Sequence, residues 1–199
     1  MLSEALLYMR LGFSHIADLA GYDHILFVAA LSIPYALRDW RKLLVLVTAF
    51  TVGHSITLAL ATLRLVSVSS AVVEALIPAT ILVTALLAWP SRAASTRDTP
   101  TPDAPRVSAP RYVMATFFGL IHGLGFSTYL RSLLGEEENI AGPLLAFNIG
   151  LEIGQLVILS VVLGIAFAVG RNDSAQLWWK RVLVVTIAAL ATMLLAQRI

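Results

Sequence analysis

The chain has 199 residues, of which 58% are hydrophobic and 13% charged, with a formal net charge of +2 and no cysteine. Soluble domains are about 45–50% apolar and about 25% charged, so this composition predicts an integral membrane protein, bound to lipid and not to nucleic acid. The lack of cysteine excludes disulfides, thiolate metal sites and cysteine nucleophiles. A transition metal would have to bind through imidazole, carboxylate, amide or methionine groups.

The hydrophobic pattern predicts an all-α polytopic membrane protein, a single transmembrane domain over residues 1–199. Residues 1–20 mix apolar side chains with Glu4, Arg10, His15 and Asp18. This pattern is typical of an amphipathic helix in the membrane interface and not of a cleavable signal peptide. Six transmembrane helices are expected at roughly 23–37, 43–65, 70–89, 112–133, 143–169 and 178–196, and all but the first, which is short, have the length of about 20 residues needed to cross a bilayer.

The linker and loops predict the orientation of the chain. Residues 90–111 contain five of the eight prolines and are predicted to form a flexible linker between the third and fourth spans. Most of the lysines and arginines lie in this linker and in the loops at 38–42 and 171–181. The positive-inside rule therefore places these three segments in the cytoplasm and the amino terminus outside.

Polar residues inside or beside the predicted spans are the candidates for function. From the predicted boundaries, His54, His122 and Glu152 lie ~14–17 Å into a hydrocarbon core of ~30 Å, close to its midplane. Glu74 is expected nearer the outer face, and the Asp23-His24 pair at that face. A lone intramembrane histidine often makes only an interhelical hydrogen bond. Several such groups at matched depth, including a carboxylate that costs roughly 2.5–3.5 kcal/mol to insert, favour a shared site.

Local spacing supports a shared site. Asn148, Glu152 and Gln155 form one polar stripe on the fifth span, and Thr51, His54 and Ser55 form another on the second.

Glycines four residues apart bracket two of the buried polar residues. Gly119 and Gly123 surround His122, and Gly150 and Gly154 surround Glu152. Such pairs let helix backbones approach closely, so we expect these segments to pack directly against other helices.

Imidazole and carboxylate together are ligands for nickel, zinc, iron or copper ions. In a transport mechanism, Asp23 and His24 would capture the ion at the outer mouth, Glu74 would relay it, and the midplane residues would hold it. The expected metal ligands are Asp23, His24, His54, Glu74, His122 and Glu152, with His15, Ser55, Asn148 and Gln155 in supporting positions.

Several of these segments resemble the HupE/UreJ family of bacterial membrane proteins. The matching segments are 12–16, 21–27, 47–59, 73–78, 118–126 and 147–156. The resemblance implies a six-span permease of the bacterial inner membrane, associated with nickel supply to hydrogenase and urease, in which His15, Asp23 and His24 handle nickel. His15 and Asp23 are further apart than in the hydrogenase-linked members, which identifies a divergent branch.

Two functions remain open at this point. The first is a permease for a divalent metal ion, with Ni²⁺ favoured and Zn²⁺ as the alternative. The second is an intramembrane zinc-type hydrolase or transferase that uses the same cluster, with Glu152 or Glu74 as general base. The H-E-x-x-H spacing of zinc proteases does not occur in the sequence. The oligomeric state is left open.

Overall fold

The structure, a computed structural model, describes residues 2–90, 109–134, 140–170 and 172–199. All regular structure in these ranges is helical, as the composition predicts. The helices are α1 (Leu2–Ile16), α2 (Asp23–Ser32), α3 (Trp40–Thr62), α4 (Ser70–Leu87), α5 (Ala109–Leu134), α6 (Ala141–Val169) and α7 (Asp173–Arg198), with a 3-10 turn at Leu37–Asp39 before α3.

Five helices, α3 to α7, are long and apolar enough to cross a membrane. They correspond to the second to sixth predicted spans. The first predicted span, 23–37, is helical only over Asp23–Ser32, or about 15 Å at the rise of an α-helix, which is too short to cross a bilayer alone. Pro34 explains why this helix stops, because proline has no N–H to donate to the carbonyl of Ala30. The described residues thus hold five long apolar helices, and not six.

The predicted linker and one loop lie mostly outside the described residues. Residues 91–108 and 135–139 are not described, and α5 already begins at Ala109. The last three residues of the predicted linker, 109–111, are therefore helical.

Helices α3 and α5, which we call the second helix pair, pack with their backbones in contact. A Cβ atom added to Gly53 would lie 2.1 Å from the carbonyl oxygen of Thr116. One added to Gly119 would lie 2.2 Å from the carbonyl oxygen of Phe50, and one added to Gly123 would lie 2.2 Å from that of His54. From the Phe50–Gly119 contact to the His54–Gly123 contact, both helices advance by four residues, so the two helices are parallel.

Helices α1 and α6, the first helix pair, also pack in parallel. A Cβ atom added to Gly12 would lie 1.9 Å from the carbonyl oxygen of Phe147, and one added to Gly150 would lie 1.9 Å from that of Met9. A Cβ atom added to Gly154 would lie 2.1 Å from the side-chain Cγ2 atom of Ile16. The amphipathic helix predicted over residues 1–20 thus packs along α6.

The two pairs have the same packing geometry at constant offsets in sequence. In the first helix of each pair, Gly53 comes 41 residues after Gly12, and Phe50 comes 41 residues after Met9. In the second helix, each contacting residue of α6 comes 31 residues after its counterpart in α5, as Gly150 does after Gly119. Both second helices carry the pattern Gly-Leu-x-x-Gly, at 119–123 and 150–154. The pairs are therefore two copies of one packing unit.

The two copies run in opposite directions. Only residues 135–140 separate the end of α5 from the start of α6. Near this connection Phe126 of α5 stacks on Phe147 of α6, with ring centroids 5.1 Å apart. The chain must therefore turn back on itself here, so the first helix pair is inverted relative to the second.

Helices α2, α4 and α7 complete the bundle. Asp23 shares a cavity wall with Pro78 in the middle of α4, whereas Ala30 shares one with Thr84 further along, so α2 and α4 are parallel. α7 is antiparallel to α4, because Arg198 contacts Glu74. The end of the bundle where α4 and α6 begin is called the Ser70 end below.

Candidate metal site

The first two helices are interrupted where their polar residues lie. His15 is the second-to-last residue of α1, and Asp23 and His24 open α2 after the connection 17–22. α1 and α2 run in the same direction, α1 alongside α6 and α2 alongside α4. This break places His15 and His24 next to each other, with ring centroids 4.6 Å apart.

All four histidines of the chain meet at this break, and they form what we call the imidazole cluster. The ring centroid of His54 on α3 lies 5.8 Å from that of His15 and 6.0 Å from that of His24. The ring of His122 on α5 lies 5.1 Å from that of His24. His15, His24 and His54 each offer one nitrogen, and these three atoms lie within 4.8 Å of one another. Such spacing would let one metal ion contact three rings.

The cluster is buried, yet each ring has a nitrogen without a hydrogen-bond partner. His24, His54 and His122 are at most 3% exposed. Unpartnered nitrogens are Nε2 of His15, Nε2 of His24, Nδ1 and Nε2 of His54, and Nδ1 of His122. Buried polar atoms in proteins almost always have a partner. Unpartnered nitrogens on four neighbouring rings therefore indicate a ligand that accepts lone pairs.

His24 and His122 are each oriented by a neighbouring side chain. That side chain hydrogen-bonds to one ring nitrogen and leaves the other ring nitrogen without a partner. His24 Nδ1 donates to Asp23 Oδ1 at 2.9 Å, which leaves Nε2 with its lone pair. The Thr80 hydroxyl donates to the Ile77 carbonyl at 2.7 Å and lies 2.9 Å from His122 Nε2. Because a hydroxyl has one hydrogen, His122 Nε2 donates to Thr80 and its Nδ1 keeps the lone pair. Metal-ligating histidines usually donate their other ring N–H to an oxygen acceptor, and the carboxylate of Asp23 is a typical one.

Aromatic side chains surround the imidazole cluster. Phe126 lies against His15 at 4.0 Å between ring centroids, Phe27 lies 5.1 Å from His122, and Phe50 contacts both His122 and Phe27. Phe27 and Phe50 are fully buried. These phenylalanine rings keep water away from the imidazole nitrogens and hold the histidine side chains in place.

A cavity of about 80 Å³ lies next to Asp23 at the Ser70 end. Its walls include Gly21, Pro78 and the ion pair between Glu74 and Arg198. Asp23, in the wall of this cavity, is hydrogen-bonded to His24 of the imidazole cluster.

The structure brings together only part of the predicted ligand set. Asp23, His24, His54 and His122 are neighbours, and His15, predicted as a supporting residue, lies among them. Asp23 and His24 are thus beside His54 and His122, and not a separate outer pair.

The two predicted glutamates lie elsewhere. Glu152 accepts a hydrogen bond from the Thr48 hydroxyl at 2.5 Å, and Glu74 is paired with Arg198. Neither belongs to the group of mutually close ligand atoms found among the described residues.

The predicted supporting residues other than His15 also lie outside the cluster. Gln155 accepts from Thr51 at 2.8 Å, the hydroxyl of Ser55 donates to the carbonyl of Thr51 within α3, and Oδ1 of Asn148 is buried without a partner. Sequence reasoning missed Thr80, although a polar residue two positions after Pro78 in an apolar helix is a usable signal.

The family described as HupE / UreJ protein matches residues 1–198, and the chain belongs to that family. The family is linked to nickel and cobalt uptake. Comparisons with curated proteins and with solved structures gave no match.

Proposed function

We propose that this member of the HupE/UreJ family is a membrane permease for a divalent transition-metal ion, with Ni²⁺ favoured. The imidazole cluster is the proposed binding site, and Asp23 orients His24 within it. One observation carries the proposal: His15, His24 and His54, from three helices, offer nitrogens within 4.8 Å of one another, and each of these rings has a buried nitrogen without a hydrogen-bond partner. The family's link to nickel and cobalt uptake supports the same assignment.

The donor set favours borderline transition metals over Mg²⁺ or Ca²⁺. Imidazole suits nickel, zinc, copper and iron ions, whereas Mg²⁺ and Ca²⁺ prefer oxygen ligands. Asp23 is the carboxylate beside the cluster, so a divalent ion there keeps an excess positive charge. This excess weakens binding, and a transport site must release its ion as well as capture it.

The broken first span supplies a route to the site. We propose that α1 and α2 together take the place of the first of six spans, in an inner membrane with the amino terminus outside. The ion enters at the Ser70 end through the cavity beside Asp23. Interrupted helices of this kind line binding sites in many secondary transporters.

The enzyme alternative has less support from the geometry. A zinc hydrolase needs a general base beside the metal-bound water. Glu152 and Glu74, the residues predicted for that role, contact Thr48 and Arg198 instead.

Purified protein in detergent tests the binding site. Equilibrium dialysis against Ni²⁺ should show one ion per chain, and His54→Ala should remove most of the binding. Glu152→Gln is the matched control, since this residue lies outside the cluster and should leave Ni²⁺ binding unchanged. Equal Ni²⁺ binding by wild type and His54→Ala would contradict the proposed site.

Reconstituted protein tests transport. Wild type should carry Ni²⁺ into proteoliposomes, whereas His54→Ala should be inactive. If wild type binds Ni²⁺ but does not move it, and a lipid or peptide is cleaved instead, the permease assignment is wrong.

A further inference from the structure

Two adjoining cavities lie at the end of the bundle opposite the Ser70 end, where α3 and α7 begin and α6 ends. The first, of about 490 Å³, is called the basic pocket, because Arg38 and Lys180 are both in its wall. The second, of about 430 Å³, is called the apolar groove and lies between α3 and α6. Leu37 and Leu163 line both cavities, so the basic pocket and the apolar groove are continuous in their walls.

The apolar groove has the chemistry of a site for an acyl chain. Leucines supply most of its wall, and the Ser160 hydroxyl there donates to the carbonyl of Leu156 within α6. A Cβ atom added to Gly164, also in this wall, would meet nothing within 4 Å, which shows open space beside the helix. The wall extends along α6 from Leu163 back to Leu156, about 10 Å of the ~15 Å thickness of one hydrocarbon leaflet.

The basic pocket carries the charge that complements a lipid phosphate. Arg38 comes just before α3 and Lys180 from α7, yet both line one cavity, and none of the described residues in its wall is acidic. Asp39, the acidic neighbour of Arg38 in sequence, is paired with Lys42 at 2.8 Å, so that pair is neutral and leaves the pocket positive. Trp179 is in the same wall, and tryptophan is typical of the depth at which headgroups lie.

We propose that the basic pocket and the apolar groove together bind one anionic phospholipid. Its phosphate lies with Arg38 and Lys180, and one acyl chain lies in the apolar groove. Pockets of this kind, basic and between transmembrane helices on the cytoplasmic side, are typical binding sites for anionic headgroups. A zwitterionic lipid carries its own cation beside the phosphate, so two protein cations favour an anionic headgroup.

Ordinary contact with the bilayer does not account for this arrangement. Lipid that only surrounds the protein needs apolar surface, and α6 and α7 expose such surface elsewhere, for example at Val161 and Val185. Here the apolar wall forms a cavity between two helices, with two cations at one end. Because α3 belongs to the second helix pair and α6 to the first, a bound lipid would contact both pairs. The site is independent of the proposed metal site.

Native mass spectrometry and thermal unfolding of the full chain in detergent test the lipid site. The probes are phosphatidylglycerol and phosphatidylcholine with identical acyl chains, which differ only in the headgroup. Wild type should retain one phosphatidylglycerol molecule per chain, and this lipid at about ten times its dissociation constant should raise Tm by about 4 °C. Phosphatidylcholine should be retained less and should shift Tm less.

Replacing the two cations tests the headgroup position. The double variant Arg38→Gln/Lys180→Gln should lose both the retained lipid and the Tm shift, whereas Arg38→Lys/Lys180→Arg, which keeps both charges, should preserve them. Arg41→Gln is the matched control, because Arg41 lies at the same end of the bundle but over the ring of Trp40, outside the basic pocket. Equal shifts with the two lipids, lipid retention by the double glutamine variant, or an equal loss in Arg41→Gln would overturn the headgroup site.

Gly164→Leu tests the apolar groove. The added side chain enters the open space beside α6 and should displace the acyl chain, so this variant should lose the retained lipid. Its Tm without added lipid should be no lower than that of wild type, which separates a blocked groove from a damaged fold. Lipid retention by Gly164→Leu, or an equal Tm shift with glycerol phosphate, which has no acyl chain, would overturn the lipid as the occupant. Wild type that binds no Ni²⁺ would contradict the proposed function and leave the lipid result standing.

Discussion

Asp23 controls the proposed metal site through the histidine beside it. Its carboxylate accepts the hydrogen of His24 Nδ1 and so leaves Nε2 free for a metal ion. In Asp23→Asn, the amide can donate to Nδ1 instead, which moves the hydrogen to Nε2 and blocks ligation. We expect Ni²⁺ affinity to fall by about 10–100-fold, measured by equilibrium dialysis.

Asp18→Asn is the control for this substitution. Asp18 lies in the connection between α1 and α2 and accepts from the backbone N–H of Ala20. Its replacement should leave Ni²⁺ affinity within about twofold. The orienting role of Asp23 would be contradicted by equal affinities in the two variants.

Thr80 has the corresponding role for His122. Thr80→Val keeps the shape of the side chain but removes the acceptor for His122 Nε2. We expect about a tenfold loss of Ni²⁺ affinity, measured by isothermal titration calorimetry. Thr84→Val is the comparison, because the Thr84 hydroxyl donates only to the carbonyl of Thr80 in its own helix. A similar loss in both variants would point to general damage to α4.

At the residue scale, the sequence predicts how deep a polar residue lies in the membrane, but it does not predict which way its side chain points. The boundaries of their predicted spans predict similar depths for His54 and Glu152. Depth leaves the rotation about each helix axis open, and packing sets this rotation. Gly53 and Gly123 lock α3 against α5 and bring His54 and His122 into the bundle interior. Glu152 faces Thr48 instead.

At the element scale, glycines determine how the helices associate. Gly12→Ala and Gly53→Ala would each place a methyl group about 2 Å from a backbone carbonyl oxygen. Because backbone must move to accept it, we expect each to destabilise the protein by about 1–3 kcal/mol. Thermal unfolding in detergent measures the loss, which should be similar at the two sites because they are equivalent positions of the repeated unit.

Gly164→Ala is the matched control for the glycine substitutions. Gly164 lies inside a helix, as Gly12 and Gly53 do, but a Cβ atom added there meets nothing within 4 Å. The gain in helix propensity should stabilise the protein by about 0.5–1 kcal/mol. A loss of stability at Gly164 as large as at Gly53 would show that close packing is not the cause.

The sequence predicted the long helices well because each is a long apolar run, and α3 to α7 all fall on predicted spans. The glycine pairs at 119–123 and 150–154 also predicted close packing, which the structure confirms. The role of α1 was not evident. Its charged residues suggest a helix in the interface, whereas its buried face, with Gly12 and Ile16, becomes apparent only when α6 lies alongside.

At the scale of the whole molecule, the imidazole cluster lies where the two inverted helix pairs meet. Each pair is closed internally by glycine contacts between backbones. The two pairs contact each other through side chains, by the hydrogen bonds from Thr48 and Thr51 to α6 and by the histidine rings. Because His15 belongs to one pair and His54 to the other, a relative movement of the pairs would change the spacing of the proposed metal ligands.

The direction in which the chain crosses the membrane can be tested because it contains no cysteine. Single-cysteine variants at Leu2, Val68 and Leu37 place a thiol at exposed positions at the start of α1, between α3 and α4, and just before α3. Leu2 and Leu37 flank α1 and α2, which together take the place of the first span in the proposed topology. With the amino terminus outside, a membrane-impermeant maleimide should label Leu2→Cys and Val68→Cys on intact spheroplasts. Leu37→Cys should react only after permeabilisation. Labelling of Leu37→Cys alone on intact spheroplasts would reverse the orientation, whereas labelling of Leu2→Cys from the same side as Leu37→Cys would show that α1 and α2 do not carry the chain across the membrane.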